Sequence, residues 1–401
     1  MTFSISQQVD KYDIEELKYL NILIFNWRDI KNPKRGGSET FIHEISERLV
    51  KWGHNVTIFT SRYENAKEYE IINGVKIIRA GNSLTLRIYS IIYYIKYFKN
   101  QYDIIIEVKN GGLPWFLKLF IDDPYCVLAH QTGRNFKEDD FKNSTWYYEL
   151  IYPFSFFIYL LEPFLLRSYK GSPLIVVSQS TAQSFLELGF DYNNLFYVPE
   201  GVNQKITIDG GKNVSPNELN FIYLGRIKPS KRVDHIIKVF YYVKTKYPAA
   251  KLNIVGNVDY DYKKRLDELV DFYSLNKNII FFGYVSEKEK EELLGKSYAM
   301  IITSIREGWG LVVTEANLLG IPVIGYDVPG LRDSILDGKT GLLCKNGDIL
   351  SLAKKIIYLI ENKEKRNELG ENARIFSKNF NWDKSAKIFL KHLSYIVGDE
   401  K

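Results

Sequence analysis

Residues 298–326, YAMIITSIREGWGLVVTEANLLGIPVIGY, read as a strand (YAMIITS), a glycine-flanked loop (REGWG), a helix (LVVTEANLLG) and a second strand (PVIGY). Two strands joined through a helix run parallel, and unbroken apolar runs suit strands covered on both faces. The stretch is therefore a βαβ crossover of an α/β domain. The same alternation fills the chain. NILIFNW, HNVTIFTS, GVKIIRAG, YDIIIEV, YCVLAHQ and PLIVVSQS form one series of strands; FIYLGRI, KLNIVGN, IIFFGYV, YAMIITS, PVIGY and TGLLCK form another. Between them lies VNQKITIDGGKNVSPNEL, polar and rich in Gly, Asn and Ser, which reads as a linker. The expectation is an α/β chain of two Rossmann-like domains, residues 19–200 and 219–377, facing each other across a cleft. An N-terminal extension at 1–18, a linker at 201–218 and a final segment at 378–401 complete it.

With 401 residues, 45% hydrophobic and 25% charged, the chain has the makeup of a globular protein with a large core. Its net charge of +6 is scattered among 48 acidic residues, which argues against a nucleic-acid partner and leaves an anionic small ligand or lipid surface. Cys126 and Cys344 stand outside any CxxC pattern, so neither a disulfide framework nor a cysteine zinc site is expected. The start, MTFSISQQVDKYDIEELKYLN, lacks the features of a signal peptide, and the expected location is the cytoplasm. Residues 146–166, WYYELIYPFSFFIYLLEPFLL, approach the ~20 residues that span a bilayer. Glu149, Glu162, Pro153 and Pro163 argue against insertion.

In sheets of this kind ligands lie beyond the carboxyl ends of the strands. After NILIFNW comes RDIKNPKRGGSETFIHEISERL, where Gly36 and Gly37 precede a helix with Phe41, Ile42, Ile45 and Leu49 on one face. That arrangement suits either close approach of an anion to the helix start or a plain loop with Ser38 as N-cap. A GxGxxG fingerprint is missing from this loop, which counts against a nicotinamide enzyme. After FIYLGRI, Arg226 and Lys231 bring two cations to one sheet end, where a shared diphosphate or solvent would relieve their repulsion. Glu307 stands beside Gly308 and Gly310, whose backbone can meet a ligand. Glu315 follows in the first turns of the next helix, where a carboxylate also suits the helix dipole.

The pair GG at 36–37, GR at 225–226 with Lys231, and EGWGLVVTE at 307–315 resemble the retaining family 4 glycosyltransferases of the GT-B fold, whose hallmark is Glu, seven residues, Glu. Trp309 replaces the more usual Phe. The resemblance runs from about residue 20 to 390, through GHNVTIFT, VVSQST, PEGV, the PVIGYDVPG loop and FNWDKSAK. It implies a nucleotide-diphosphate sugar as donor, held mainly by the second domain, and no metal cofactor. Arg226 and Lys231 would bind the diphosphate, helped by amides of the Gly308, Trp309, Gly310 and Leu311 loop and by Gly36 and Gly37. Glu315 would take the ribose hydroxyls, Glu307 the sugar's hydroxyl edge, and His130, at the end of YCVLAHQ, would contact the sugar beside the reacting carbon. The implied reaction transfers a sugar, with retention, to a glycan or lipid-linked acceptor. A last helix from Trp382 would cross back to the first domain. PEGV places Glu200 where the family more usually has Asn, which leaves a substrate role for it open. The base and sugar of the donor depend on loops such as Gly283–Tyr284.

Three other readings compete. A glycoside hydrolase would set its carboxylates across one bond at about 5 to 9.5 Å and leave the Arg226–Lys231 pair without a purpose. A catalytically inactive sugar-nucleotide binder would not need the whole signature set. Asp259 and Asp261, in VDYDYKK, offer a DxD metal pair, but the acidic start of a helix is the expected reading. His43 and His54 have no metal-ligand spacing. Finally, LTLRIYSIIYYIKYFK at 84–99, read as a helix, puts Leu84, Ile88, Ile91, Ile92, Ile95 and Phe98 on one face, bordered by Arg87, Lys96 and Lys99, with tyrosines opposite. Such a helix either packs on a core or lies in a lipid interface, giving peripheral contact with the inner face of the cell membrane.

Overall fold

A computed structural model describes residues 18–110, 114–132, 161–203, 218–258 and 260–398. The N-terminal extension, most of the 146–166 stretch, Asp259 and most of the linker lie outside them. The described residues form two compact units: those up to 132, with 161–201 and 381–398, make the first, and those from 202 to 380 make the second.

The first unit holds the strands Asn21–Phe25 (β1), Asn55–Thr60 (β2), Tyr69–Ile72 (β3), Val75–Arg79 (β4), Ile104–Asn110 (β5), Tyr125–Gln131 (β6), Leu174–Val176 (β7) and Leu195–Tyr197 (β8). Their order is β3-β4-β2-β1-β5-β6-β7-β8, parallel except for the β3–β4 hairpin. Asn73 and Gly74 turn that hairpin with φ of 49° and 83°, the paired left-handed geometry that favours Asn-Gly. Gly37–Lys51 (α1), Leu86–Tyr93 (α2) and Gln179–Leu186 (α3) are among the helices of this unit. Leu23, Phe25, Phe59, Ile105 and Val127 form its core with Trp115 and Phe185. Both cysteines are buried and free.

The helix expected over 84–99 forms with its phase altered. Beyond α2, Tyr94–Phe98 makes one wide π turn, closed by the Lys99 N–H donating to the Tyr94 carbonyl at 2.9 Å. Leu86, Ser90, Tyr94 and Phe98 become the buried column. A straight α-helix would carry a four-residue repeat off the core, and the wider turn brings it back. Phe98 therefore belongs to the core side, not to the expected apolar face. Leu84, Ile88, Ile92 and Ile95 remain on the outside, 85%, 60%, 39% and 55% exposed.

The second unit has the strands Asn220–Leu224 (β9), Lys251–Val255 (β10), Ile279–Gly283 (β11), Ala299–Ile302 (β12), Val323–Asp327 (β13) and Gly341–Lys345 (β14). All pairs are parallel, in the order β11-β10-β9-β12-β13-β14. This is the doubly wound order, and its reversal falls between β9 and β12. Among the described residues its helices are Val233–Lys246 (α4), Tyr260–Phe272 (α5), Glu287–Gly295 (α6), Leu311–Leu318 (α7), Leu331–Ser334 (α8), Ile349–Glu361 (α9) and Lys363–Ser377 (α10). Ile222, Ile254, Ile301 and Ile324 lie buried at the centre of its core with Phe240 and Leu352.

The chain then rejoins the first unit as Trp382–Val397 (α11). The Asn381 side chain caps it, accepting the Asp383 N–H at 2.7 Å. Phe41 on α1 meets the rings of Trp382 and Phe389 edge-on, with centroids 5.9 and 6.5 Å away. An Arg48–Asp383 ion pair borders that contact.

Candidate active site

The β9/β12 reversal is where a doubly wound sheet offers a place for a ligand, between the loops that follow the two strands. They are stitched together. The Thr303 hydroxyl donates to the carbonyls of Lys231 and Arg232 at 2.9 Å each, and the Ile305 N–H donates to the Ser230 carbonyl at 3.0 Å. Arg232 takes a left-handed φ of 49° at the start of α4, turning the chain just after Lys231. The Tyr223 hydroxyl donates to the Arg226 carbonyl at 3.0 Å.

Lys231 and Glu307 therefore meet, as an ion pair between Nζ and Oε1. The Ser304 hydroxyl donates to the same carboxylate oxygen at 2.6 Å. Burial alone would raise the Glu307 carboxyl, but Lys231, Ser304 and the nearby charge of Lys228 overcome it and hold it below the usual carboxylate range. A third loop fixes the backbone: the Glu307 N–H donates to the Pro329 carbonyl at 3.1 Å. Gly330, at φ +82°, lies so close that a Cβ would stand 2.3 Å from the Glu307 carbonyl oxygen. Only glycine meets both conditions.

The side chain of Trp309 is turned into the interior of the second unit. Its ring is buried against Phe380, centroids 4.7 Å apart, and its indole N–H donates to the Thr314 hydroxyl at 2.8 Å. The side chain braces the loop, and Gly308, Gly310 and Leu311 present backbone at the start of α7. Glu315, in the second turn of α7, lies 3.1 Å from Lys290 Nζ on α6, which also pairs with Glu287 at 2.5 Å. Burial raises the Glu315 carboxyl, Lys290 opposes that in part, and Glu287 and Glu291 add to the rise.

The first unit carries the other expected residues. Gly36 precedes α1 in extended backbone, φ −147°, which does not itself demand glycine. Its N–H donates to Glu39 at 2.6 Å, so Glu39 and not Ser38 caps this end. Ser38 instead bonds to Asn110 at the end of β5. His130, near the end of β6, is buried, with Phe41 edge-on at 5.3 Å and Glu200 Oε1 at 3.4 Å from Nδ1. Thr181 donates to its carbonyl at 2.9 Å.

Among the described residues no group of three or more His, Cys, Asp or Glu could hold a metal ion. Asp261 lies in the first turn of α5. Lys228, Ser304, Lys290 and Gly330 escaped the sequence reading. Lys228 had a signal, standing in KPSKR beside the chosen cations, but Lys290 in EKEKEELL looks like any solvated helix face.

The sheet reversal thus brings clustered cations and glycine loops together within the second unit. Residues 205–376 match the family Glycosyl transferases group 1 and residues 35–205 match Glycosyltransferase Family 4; the chain belongs to the group 1 glycosyltransferases. It is 26% identical over 390 residues to an uncharacterized glycosyltransferase of Methanocaldococcus jannaschii, covering 91% of this chain and 96% of that one. Its fold, GT-B, matches sucrose-phosphate synthase from Thermosynechococcus elongatus with a TM-score of 0.79 at 20% identity, over 95% of this chain and 100% of the other. Anabaena HepE in complex with UDP-glucose matches with a TM-score of 0.72 at 16% identity, over 94% and 100%.

Proposed function

We propose that this enzyme is a retaining hexosyltransferase that works without a metal ion in the cytoplasm, moving a sugar from a nucleotide-diphosphate sugar to a glycan or lipid-linked acceptor at the membrane surface. The observation that carries the reading is the pairing of Lys231 with Glu307 where the second sheet reverses, with Arg226 and Lys228 on the same loop. As the sugar–phosphate bond breaks, positive charge grows on the sugar and negative charge on the diphosphate. Cations placed in advance stabilise the leaving group more in the transition state than in the bound donor. Lys231 is shared between the incoming phosphate and Glu307, whose carboxylate faces the sugar hydroxyls, while Glu315 takes the ribose and His130 a sugar hydroxyl. The acceptor attacks from the face that the phosphate leaves, and a phosphate oxygen takes its proton, which preserves the anomeric configuration. The UDP-glucose complex of HepE supports a nucleotide sugar as donor. The exposed apolar stripe of α2 supports membrane contact.

Lys231→Ala and Arg226→Ala should each lower turnover roughly a hundredfold, the scale of losing one oriented electrostatic donor, with a smaller fall in donor affinity. Transfer should survive EDTA, and NMR of the product should show the donor's anomeric configuration. Loss of transfer on chelation, restored by magnesium or manganese, refutes the metal-free mechanism. An inverted product refutes retention.

A further inference from the structure

Glu200 is built into the surroundings of His130 through several contacts. Gly201, the next residue, has no room for a side chain: a Cβ there would stand 2.5 Å from the Trp382 ring and 2.6 Å from its backbone nitrogen. Trp382 meets Phe41, and Phe41 meets the His130 ring. The start of α11, the PEGV turn, α1 and the end of β6 thus enclose one imidazole and one carboxylate, both buried. Burying a carboxylate is costly, and an amide would fill the same space without a charge. Nδ1 of His130 stands 3.4 Å from Glu200 Oε1, so the imidazole is one of the groups that face this acid. Two lone pairs facing each other would repel, so Nδ1 carries the proton. The other ring nitrogen, Nε2, is buried and has no hydrogen-bond partner among the described residues. With the proton fixed on Nδ1, a neutral imidazole offers an acceptor at Nε2.

We propose that Glu200 is a positioning residue for His130, fixing the Nδ1–H tautomer so that Nε2 accepts a hydrogen bond from a hydroxyl of the transferred sugar. The sugar contact rests on the reading given under Proposed function; the tautomer does not.

The chain has five histidines, so nitrogen-15 labelling of histidine with long-range proton–nitrogen NMR can resolve each ring, with His130→Asn assigning the relevant signals. The wild-type protein should show His130 protonated on Nδ1 and bare on Nε2. Glu200→Ala should move it towards the Nε2–H form and lower kcat at least about tenfold, as when a catalytic imidazole loses its orienting carboxylate. Nucleoside-diphosphate affinity and melting temperature should stay near wild type. Glu200→Gln, whose amide oxygen can still accept, should keep the tautomer and fall between the two in kcat. An Nε2–H tautomer in the wild type overturns the proposal whichever variants fold. So does a Glu200→Ala protein that loses nucleotide affinity and melting temperature together with kcat, because that pattern marks a merely structural residue. If the wild type turns over no nucleotide sugar, the functional reading fails, and the wild-type spectrum still decides the role of Glu200.

Discussion

Glu307 and Glu315 answer to different cations on different elements, Lys231 on the loop after β9 and Lys290 on α6. Their environments shift them in opposite directions, Glu307 down and Glu315 up. This division suits one carboxylate for the sugar and one for the nucleoside. Glu315→Ala should weaken binding of a free nucleoside diphosphate roughly ten- to a hundredfold, the worth of a charged hydrogen bond, while Glu307→Ala should leave it nearly unchanged by calorimetry. Equal losses would defeat the assignment. Arg226, Lys231, Glu307 and Glu315 were legible in the sequence because cations and glycines after apolar runs mark strand ends whatever the side-chain rotamers. The direction of a side chain was not legible. An aromatic residue between glycines reads alike whether it faces a ligand or Phe380, and only the packing of residues distant in sequence decides it for Trp309. Lys290 was hidden for the same reason, since its partner lies on another helix.

The strands of the second sheet were all visible as continuous apolar runs, because every neighbour in that sheet is parallel and helices cover it. In the first sheet, β3 and β8 were missed: both are short edge strands, partly exposed. The α2 segment was legible as amphipathic but not in its phase, which the π turn resets. Its outer stripe keeps Leu84, Ile88, Ile92 and Ile95 exposed. Burial of Leu84, Ile88, Ile92 and Ile95 in lipid contributes in proportion to the area each still exposes, out of about 1.5 to 3 kcal/mol for a fully exposed side chain, before the cost of association. Arg87 sits over the Trp27 ring and Lys99 pairs with Asp122 at 2.8 Å, which leaves Lys96 as the most direct basic contact with anionic lipid. The full chain should sediment with anionic liposomes at low salt, and Ile88→Glu with Ile92→Glu should abolish this. Both side chains are exposed, so the double variant should lose little stability, about 0.5 kcal/mol or less per site. Failure of the wild type to sediment removes the membrane reading. Among the described residues no helix is long and apolar enough to cross a membrane.

The whole chain is organised by a return: it leaves the first unit after Gly201 and comes back at Asn381. The seat of the returning α11 includes His392, 3.2 Å from the Tyr197 carbonyl and edge-on to Phe196 at 5.2 Å. Burial lowers the His392 imidazole to about 4, against an ordinary value of 6.5. In that window the unfolded chain binds the proton more tightly, so the stability is intact above pH 6.5 and declines as pH falls towards 4. By linkage the loss is up to about 1.4 kcal/mol per pH unit. Hydrogen exchange of the α11 amides, corrected for intrinsic rates, should therefore quicken on acidification. His392→Gln, which can still donate to Tyr197, should flatten that dependence; an identical pH response in the variant would show that another group is responsible. The same return has a consequence during synthesis. On a ribosome moving at ~5–20 residues per second, the roughly 180 residues between Gly201 and Asn381 take on the order of 10 to 40 s. For that time Phe41 waits without Trp382 and Phe389. The half that begins first is finished last, and a nascent chain of this enzyme must keep an apolar helix face from finding the wrong partner until its own tail emerges.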